Sequence, residues 1–144
     1  MPHAGGVLVG HAHPRLSEGL RHWLQASFEA VYMVGDRASL IEGAQRLQPV
    51  LMVLDQALAE GDLAALSAEL HRRAPDSRQL LLSDHADAGA DAAALSAGVD
   101  GVVHMATLAA ELGVAVDSVV AGRRFVAQPA DTGLGLESGL RRGG

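Results

Sequence analysis

Short apolar runs recur along the chain at near-regular intervals. They are Val7-Leu8-Val9, Val31-Tyr32-Met33-Val34, Val50-Leu51-Met52-Val53-Leu54, Leu80-Leu81-Leu82 and a weaker Val102-Val103. None alternates apolar with polar positions, which is the pattern of strands covered on both faces. Between the runs the spacing turns helical. Leu16, Leu20, Trp23 and Leu24 make one stripe, opened by Pro14. Leu40, Ile41, Ala44 and Leu47 make a second, ended by Pro49, and Leu63, Leu66 and Leu70 a third, with Pro75 beyond it. An alanine-rich fourth segment, about 87 to 97, stops at Gly98. A fifth carries Leu108, Leu112, Val116, Val119 and Val120, with Thr107 as a predicted cap and Gly122 as its end. Strict alternation of five strands and five helices predicts an α/β, doubly wound, five-stranded parallel sheet between helical layers, since each parallel connection needs a crossover.

Length and charge narrow the classes. The 144 residues suit one domain, here 1–126, with a Gly-rich remainder, 127–144, expected to be a disordered tail or linker stub. A hydrophobic share of 49% with 19% charged residues fits a globular chain. The net charge of −6 argues against direct nucleic-acid binding through a basic surface. No apolar run approaches the roughly 20 residues of a membrane span. The start of the chain lacks the basic residues and apolar stretch of a signal peptide. With no cysteine there is no disulfide or thiolate chemistry, and the expected location is cytoplasmic. The chain also contains no lysine, and all eleven of its Lys or Arg positions are arginine.

In a sheet of this kind function gathers at the carboxyl ends of the strands. The residues placed there are Gly10-His11-Ala12-His13, Asp55, Ser83-Asp84-His85 and His104-Met105. Asp55, directly after the longest apolar run, is the best single candidate. No glycine-rich phosphate loop is present, because Gly98-Val99-Asp100-Gly101 precedes a strand and not a helix. Nor does spacing assemble a Ser/His/Asp set. No enzyme activity is therefore expected.

At these residues the chain resembles the receiver domain of response regulators, in particular those of the LuxR/NarL type, whose fold is the flavodoxin/CheY-like (βα)5 arrangement. The resemblance is carried by Val7-Leu8-Val9 through His13-Pro14 with Ser17-Glu18-Gly19-Leu20, by Pro49 through Asp55, and by Leu80-Leu81-Leu82-Ser83. Ala97-Gly98-Val99-Asp100-Gly101 and Ala121-Gly122-Arg123-Arg124-Phe125 extend it. It implies a place in two-component phosphorelay signalling, with Asp55 as phosphoacceptor and Ser83 as the switch hydroxyl. It also implies two acidic Mg²⁺ ligands where this chain has His11 and Ala12, and a lysine where it has Met105. The departures mark an atypical, degenerate receiver, and no helix-turn-helix output domain is readable in 128–144.

Mg²⁺ is a hard cation usually held by carboxylates, so imidazole and methyl at positions 11 and 12 predict weak or absent Mg²⁺ binding. No cofactor is therefore expected. Met105 removes a cation from the phosphoryl site, a loss of about 3 kcal/mol by analogy with deleting one oxyanion donor. Two roles stay open for Asp55: phosphoacceptor, helped by nearby acids such as Glu60, Asp62 or Asp84, or a strand-end carboxylate bonding loop amides. For Ser83 the alternative is a loop-capping hydroxyl. His11 is expected near Asp55, where the pair would form a pH-sensitive contact. A transition-metal set of His11, His13, His85, Asp55 and Asp84 is the weaker alternative, and His22 and His71 read as solvent-facing. The expected function is a protein-interaction module. Its partner would be a histidine kinase, an output domain or a second copy, met through the first and fifth helices; Arg123-Arg124-Phe125 reads as an added contact or, more plainly, as a solvated helix end. The alternative is a working phosphoacceptor regulating a LuxR-type DNA-binding transcription factor.

Overall fold

Parallel neighbours cannot be joined by a tight turn, so each strand hands the chain to a crossover before the next can pair. The computed structural model describes residues 3–12, 14–84 and 87–126. In chain order it has β1 (His3–Gly10), α1 (Pro14–Ser27), β2 (Phe28–Val34), α2 (Arg37–Leu47), β3 (Leu51–Asp55) and α3 (Leu63–Arg73). These are followed by β4 (Arg78–Ser83), α4 (Ala88–Ala97), β5 (Gly101–His104), α5 (Leu108–Val120) and β6 (Phe125–Val126). Single 3-10 turns follow β3 at Gln56–Ala59 and β5 at Met105–Thr107.

All strand pairings are parallel, in the order β2-β1-β3-β4-β5-β6. The sheet is therefore six-stranded, not five-stranded as the apolar runs predict. The added strand is two residues long, too short for any periodicity, and pairs Gly101 with Phe125 and Val102 with Val126. β1 and β2 also begin earlier than their apolar runs. Their first turn of pairing includes a bulge between His3 and Gly6, where Gly5 takes φ +90 and a Cβ would strike Val50.

Alternate residues of the central strands feed two separate cores. Val7, Val9, Leu51, Val53, Leu80, Leu82 and Val103 pack with Leu20 and Leu24 of α1 and with Leu112, Ala115, Val116 and Val119 of α5. Leu8, Met52, Leu54, Leu81 and Val102 pack on the other face with Leu40 and Ala44 of α2, Leu66 and Leu70 of α3, and Ala94 of α4. Each fully buried leucine contributes about 1.5–3 kcal/mol. Two members of the expected stripes reach the surface instead: Trp23 is 36% and Leu47 39% exposed. Trp23 precedes Leu24 by one position, about 100° around the helix, on the flank of the stripe.

Local chemistry sets the helix ends. Asp36 caps α2, accepting from the Ser39 amide at 2.7 Å and the Ser39 hydroxyl at 3.1 Å. Gln48 closes the same helix in the left-handed region, its side-chain amide donating to the carbonyls of Ala44, Gln45 and Arg73. Asp62 caps α3 through the Ala65 amide. Thr107 stands at the start of α5 but makes no side-chain cap, because its hydroxyl donates to Glu111 at 2.6 Å. A buried bridge ties α3 to β4: the Ser67 hydroxyl donates to the Gln79 side chain at 2.6 Å, and Gln79 Nε2 donates back to the Ser67 carbonyl.

Gly98 ends α4 at φ +125, and a Cβ there would meet Ser67 Oγ at 2.6 Å. Gly98→Ala is expected to cost about 1–3 kcal/mol in urea denaturation. Gly19→Ala, in a helix with open space around it, should gain about 0.5–1 kcal/mol. The Ser39 amide and hydroxyl hold the Asp36 carboxyl below its ordinary value. Its stabilising share is therefore complete above the ordinary carboxylate range and is lost as pH falls through the lowered value. Asp36→Asn should flatten the acid limb of the stability–pH curve.

Candidate functional site: the carboxyl edge of the sheet

The strand order reverses between β1 and β3, and such a point opens a crevice at the carboxyl ends of open parallel sheets. β1 delivers Gly10 and the loop residues His11 and Ala12 there, β3 delivers Asp55, and β4 delivers Ser83. β5 ends at His104, and Met105 opens the turn beyond it. The predicted residues are thus gathered at one edge, although they differ in depth and orientation.

Asp55 is 1% exposed. Its Oδ1 accepts the Ala57 amide at 3.0 Å, closing an Asx-type turn into Gln56–Ala59. Its Oδ2 accepts the Ala12 amide at 3.0 Å across the switch point. The carboxylate therefore braces two loops at once. His11 is half-buried, its amide donating to the Val34 carbonyl at 3.1 Å. Its Nδ1 is buried without a hydrogen-bond partner, so the expected contact with Asp55 is not made through that atom. Ala12, also predicted at this edge, is exposed and offers Asp55 only its backbone donor.

Ser83 is buried and its hydroxyl donates to Gln56 Oε1 at 3.3 Å, on the turn that Asp55 caps. Met105 is half-buried and packs against the core shared with α1 and α5. The basic group that α2 brings towards this turn, Arg37, donates to the Ala59 carbonyl at 2.9 Å. Of the acids considered as helpers, Asp62 caps α3, while Glu60 and Asp84 are exposed. His22 and His71 are exposed, as their helical positions suggest. His13 and His85 lie outside the described residues, as does the tail at 127–144. Among the described residues no group of three or more His, Cys, Asp or Glu side chains is placed to hold a metal ion.

One pair escapes the sequence pattern. His104 is not a loop residue at the mouth: it is 2% exposed, faces α4, and its Nε2 lies 2.9 and 3.1 Å from the two oxygens of Asp91, itself 3% exposed. The available signal was Asp91 alone among the alanines of the fourth helix.

Because Asp55 satisfies two amides, Asp55→Ala should destabilise the fold by about 1–3 kcal/mol for each donor left unpaired in a buried setting. Chemical denaturation measures the loss. Amide exchange should quicken at Ala12 and Ala57 ahead of the strands.

No family model matches the chain. It is 29% identical over 141 residues to the transcriptional activator protein ExaE of Pseudomonas putida, covering 96% of this chain and 66% of that protein. Among solved structures it superposes on a LuxR-family two-component response regulator from Aurantimonas sp. SI85-9A1 with a TM-score of 0.77 at 22% identity, over 88% of this chain and 91% of that one. The signal receiver domain of the putative response regulator NarL from Mycobacterium tuberculosis gives 0.73 at 27% identity, over 85% and 100%. The isolated receiver domain of RcsB from Salmonella enterica serovar Typhimurium, in the presence of phosphomimetic BeF3-, gives 0.76 at 18%, over 88% and 96%. In fold and extent the chain matches the receiver domains of response regulators, those of LuxR/NarL-type regulators among them.

Proposed function

We propose that this chain serves two-component signalling as a regulatory, protein-interaction receiver in which Mg²⁺-dependent phosphorylation at Asp55 is weak or absent. The observation that carries the reading is the double engagement of Asp55: both oxygens accept backbone amides, and the carboxylate is buried. An oxygen that accepts an N–H from Ala12 faces a positive dipole where a receiver's metal ligands would supply negative charge.

The donor set does not fit a hard divalent cation, which needs several oxygen ligands. Position 12 contributes a methyl group and position 11 an imidazole. Phosphoryl transfer depends on positioning and on neutralising charge on the transferred oxygens. Met105 contributes no charge, and Arg37 is committed to a carbonyl. Ser83, tied to Gln56, then acts as a loop brace and not as a sensor. The partner would be a protein: a histidine kinase, an output domain or a second copy. The likeness to a named transcriptional activator, of which this chain spans 66%, favours transcription as the process regulated, with these residues controlling DNA binding and not performing it.

Incubation with acetyl phosphate and Mg²⁺, followed by intact-mass spectrometry, should give no phosphoryl increment. The combined substitution His11→Asp, Ala12→Asp and Met105→Lys should raise phosphorylation from that baseline. An increment on the wild-type chain that disappears in Asp55→Ala would overturn the reading in favour of a working phosphoacceptor.

A further inference from the structure

Four of the five helices are fastened to the sheet by branched apolar side chains: α1 by Leu20 and Leu24, α2 by Leu40, α3 by Leu66 and Leu70, and α5 by Leu112, Val116 and Val119. α4 is different. Its ten residues include six alanines, its fully buried members are Asp91 and Ala94, and its one large apolar side chain, Leu95, is only half-buried. Methyl groups bury little area, and apolar burial scales with area, so hydrophobic packing holds this helix weakly.

The two ends of α4 are anchored unequally. Beyond its C-terminus Val99 is buried in the second core, and Asp100 accepts the Gln79 amide at 2.8 Å and donates its own amide to the Gln79 carbonyl at 2.8 Å. Gly98, at φ +125, joins that fixed point to the helix. Among the described residues the N-terminal half has no comparable apolar anchor. Asp87 caps it locally through the Gly89 amide, and its tie to the sheet is the Asp91–His104 contact.

We propose that the His104–Asp91 pair is a latch that docks the first half of α4 onto the end of β5, with Gly98 as the pivot when it opens. The groups packed around His104 suit this role. From α4 comes the Asp91 carboxylate; from β4 comes Ser83, its register partner, which is uncharged. From the turn after β5 comes the Thr107 hydroxyl, which donates to Glu111 at 2.6 Å and lies 3.5 Å from the His104 backbone carbonyl. His104 Nδ1 is buried without a partner, so the imidazole is held to the rest of the structure on one side, by Asp91. Breaking the pair strands a polar group in an apolar setting, which favours moving α4 outward into water over keeping it docked. The latch operates whether or not Asp55 accepts a phosphoryl group.

Hydrogen–deuterium exchange on the full chain, with α2 as internal reference, tests it. In His104→Leu the amides of the first half of α4 should exchange about tenfold faster or more, with α2 unchanged, since local opening is read independently of global unfolding. Asp91→Ala should give a smaller rise, because it leaves an imidazole and not a carboxylate to be hydrated. Three outcomes would overturn the latch: α4 exchange equal to wild type in both variants, an equal rise in α2, or an effect of Asp91→Ala that matches or exceeds that of His104→Leu. Failure of both variants to fold would also overturn it, by making the pair a requirement of the whole fold.

Discussion

A parallel sheet must be covered on both faces, and nearly everything else in this molecule follows from that requirement. β3 is buried along its whole length, so each of its residues needs a neighbour above or below. The chain meets the demand by sending α1 and α5 to one face and α2, α3 and α4 to the other. Burial on both faces leaves only the ends of the central strands in reach of solvent, which gathers polar chemistry at the carboxyl edge. There the side chains must satisfy loop backbone as well as serve any reaction. The first task is visible here: Asp55 accepts two amides and Ser83 bonds Gln56.

Asp55 is held from both sides of that edge. Its Oδ2 meets the Ala12 amide beyond β1 and its Oδ1 the Ala57 amide beyond β3, so the carboxylate orders two loops whatever further chemistry it supports. Fold and residue identity alone do not reveal this bracing; the hydrogen bonds at the carboxylate do.

Much of this was legible from the residues. Continuous apolar runs marked the strands because both faces are buried, and the spacing of Leu20 and Leu24 or of Leu66 and Leu70 marked the helices because each has one buried face. What the pattern missed has physical reasons. β6 is defined by backbone pairing at two residues, which leaves no signature in side-chain period. Trp23 matched its stripe in spacing yet lies on its flank, since a hydrophobic period fixes a direction and not a depth. His104 was placed beyond the strand because the apolar run ends at Val103, while the strand runs one residue further on a buried hydrogen-bonding side chain. Asp55 was read at the right place, the end of β3, but the two amides that its carboxylate accepts come from loop geometry that sequence spacing cannot supply.

α1 passes into β2 with no intervening residue, Ser27 ending the helix and Phe28 beginning the strand. Phe28 is buried in the core it shares with Leu20 and Leu24, so the joint is clamped as well as short. Helix and edge strand therefore share a joint with no loop residue to absorb a shift between them. β2 in turn pairs along β1 from Phe28 to Val34, so that joint and the loop carrying His11 and Ala12 stand at opposite ends of one ladder.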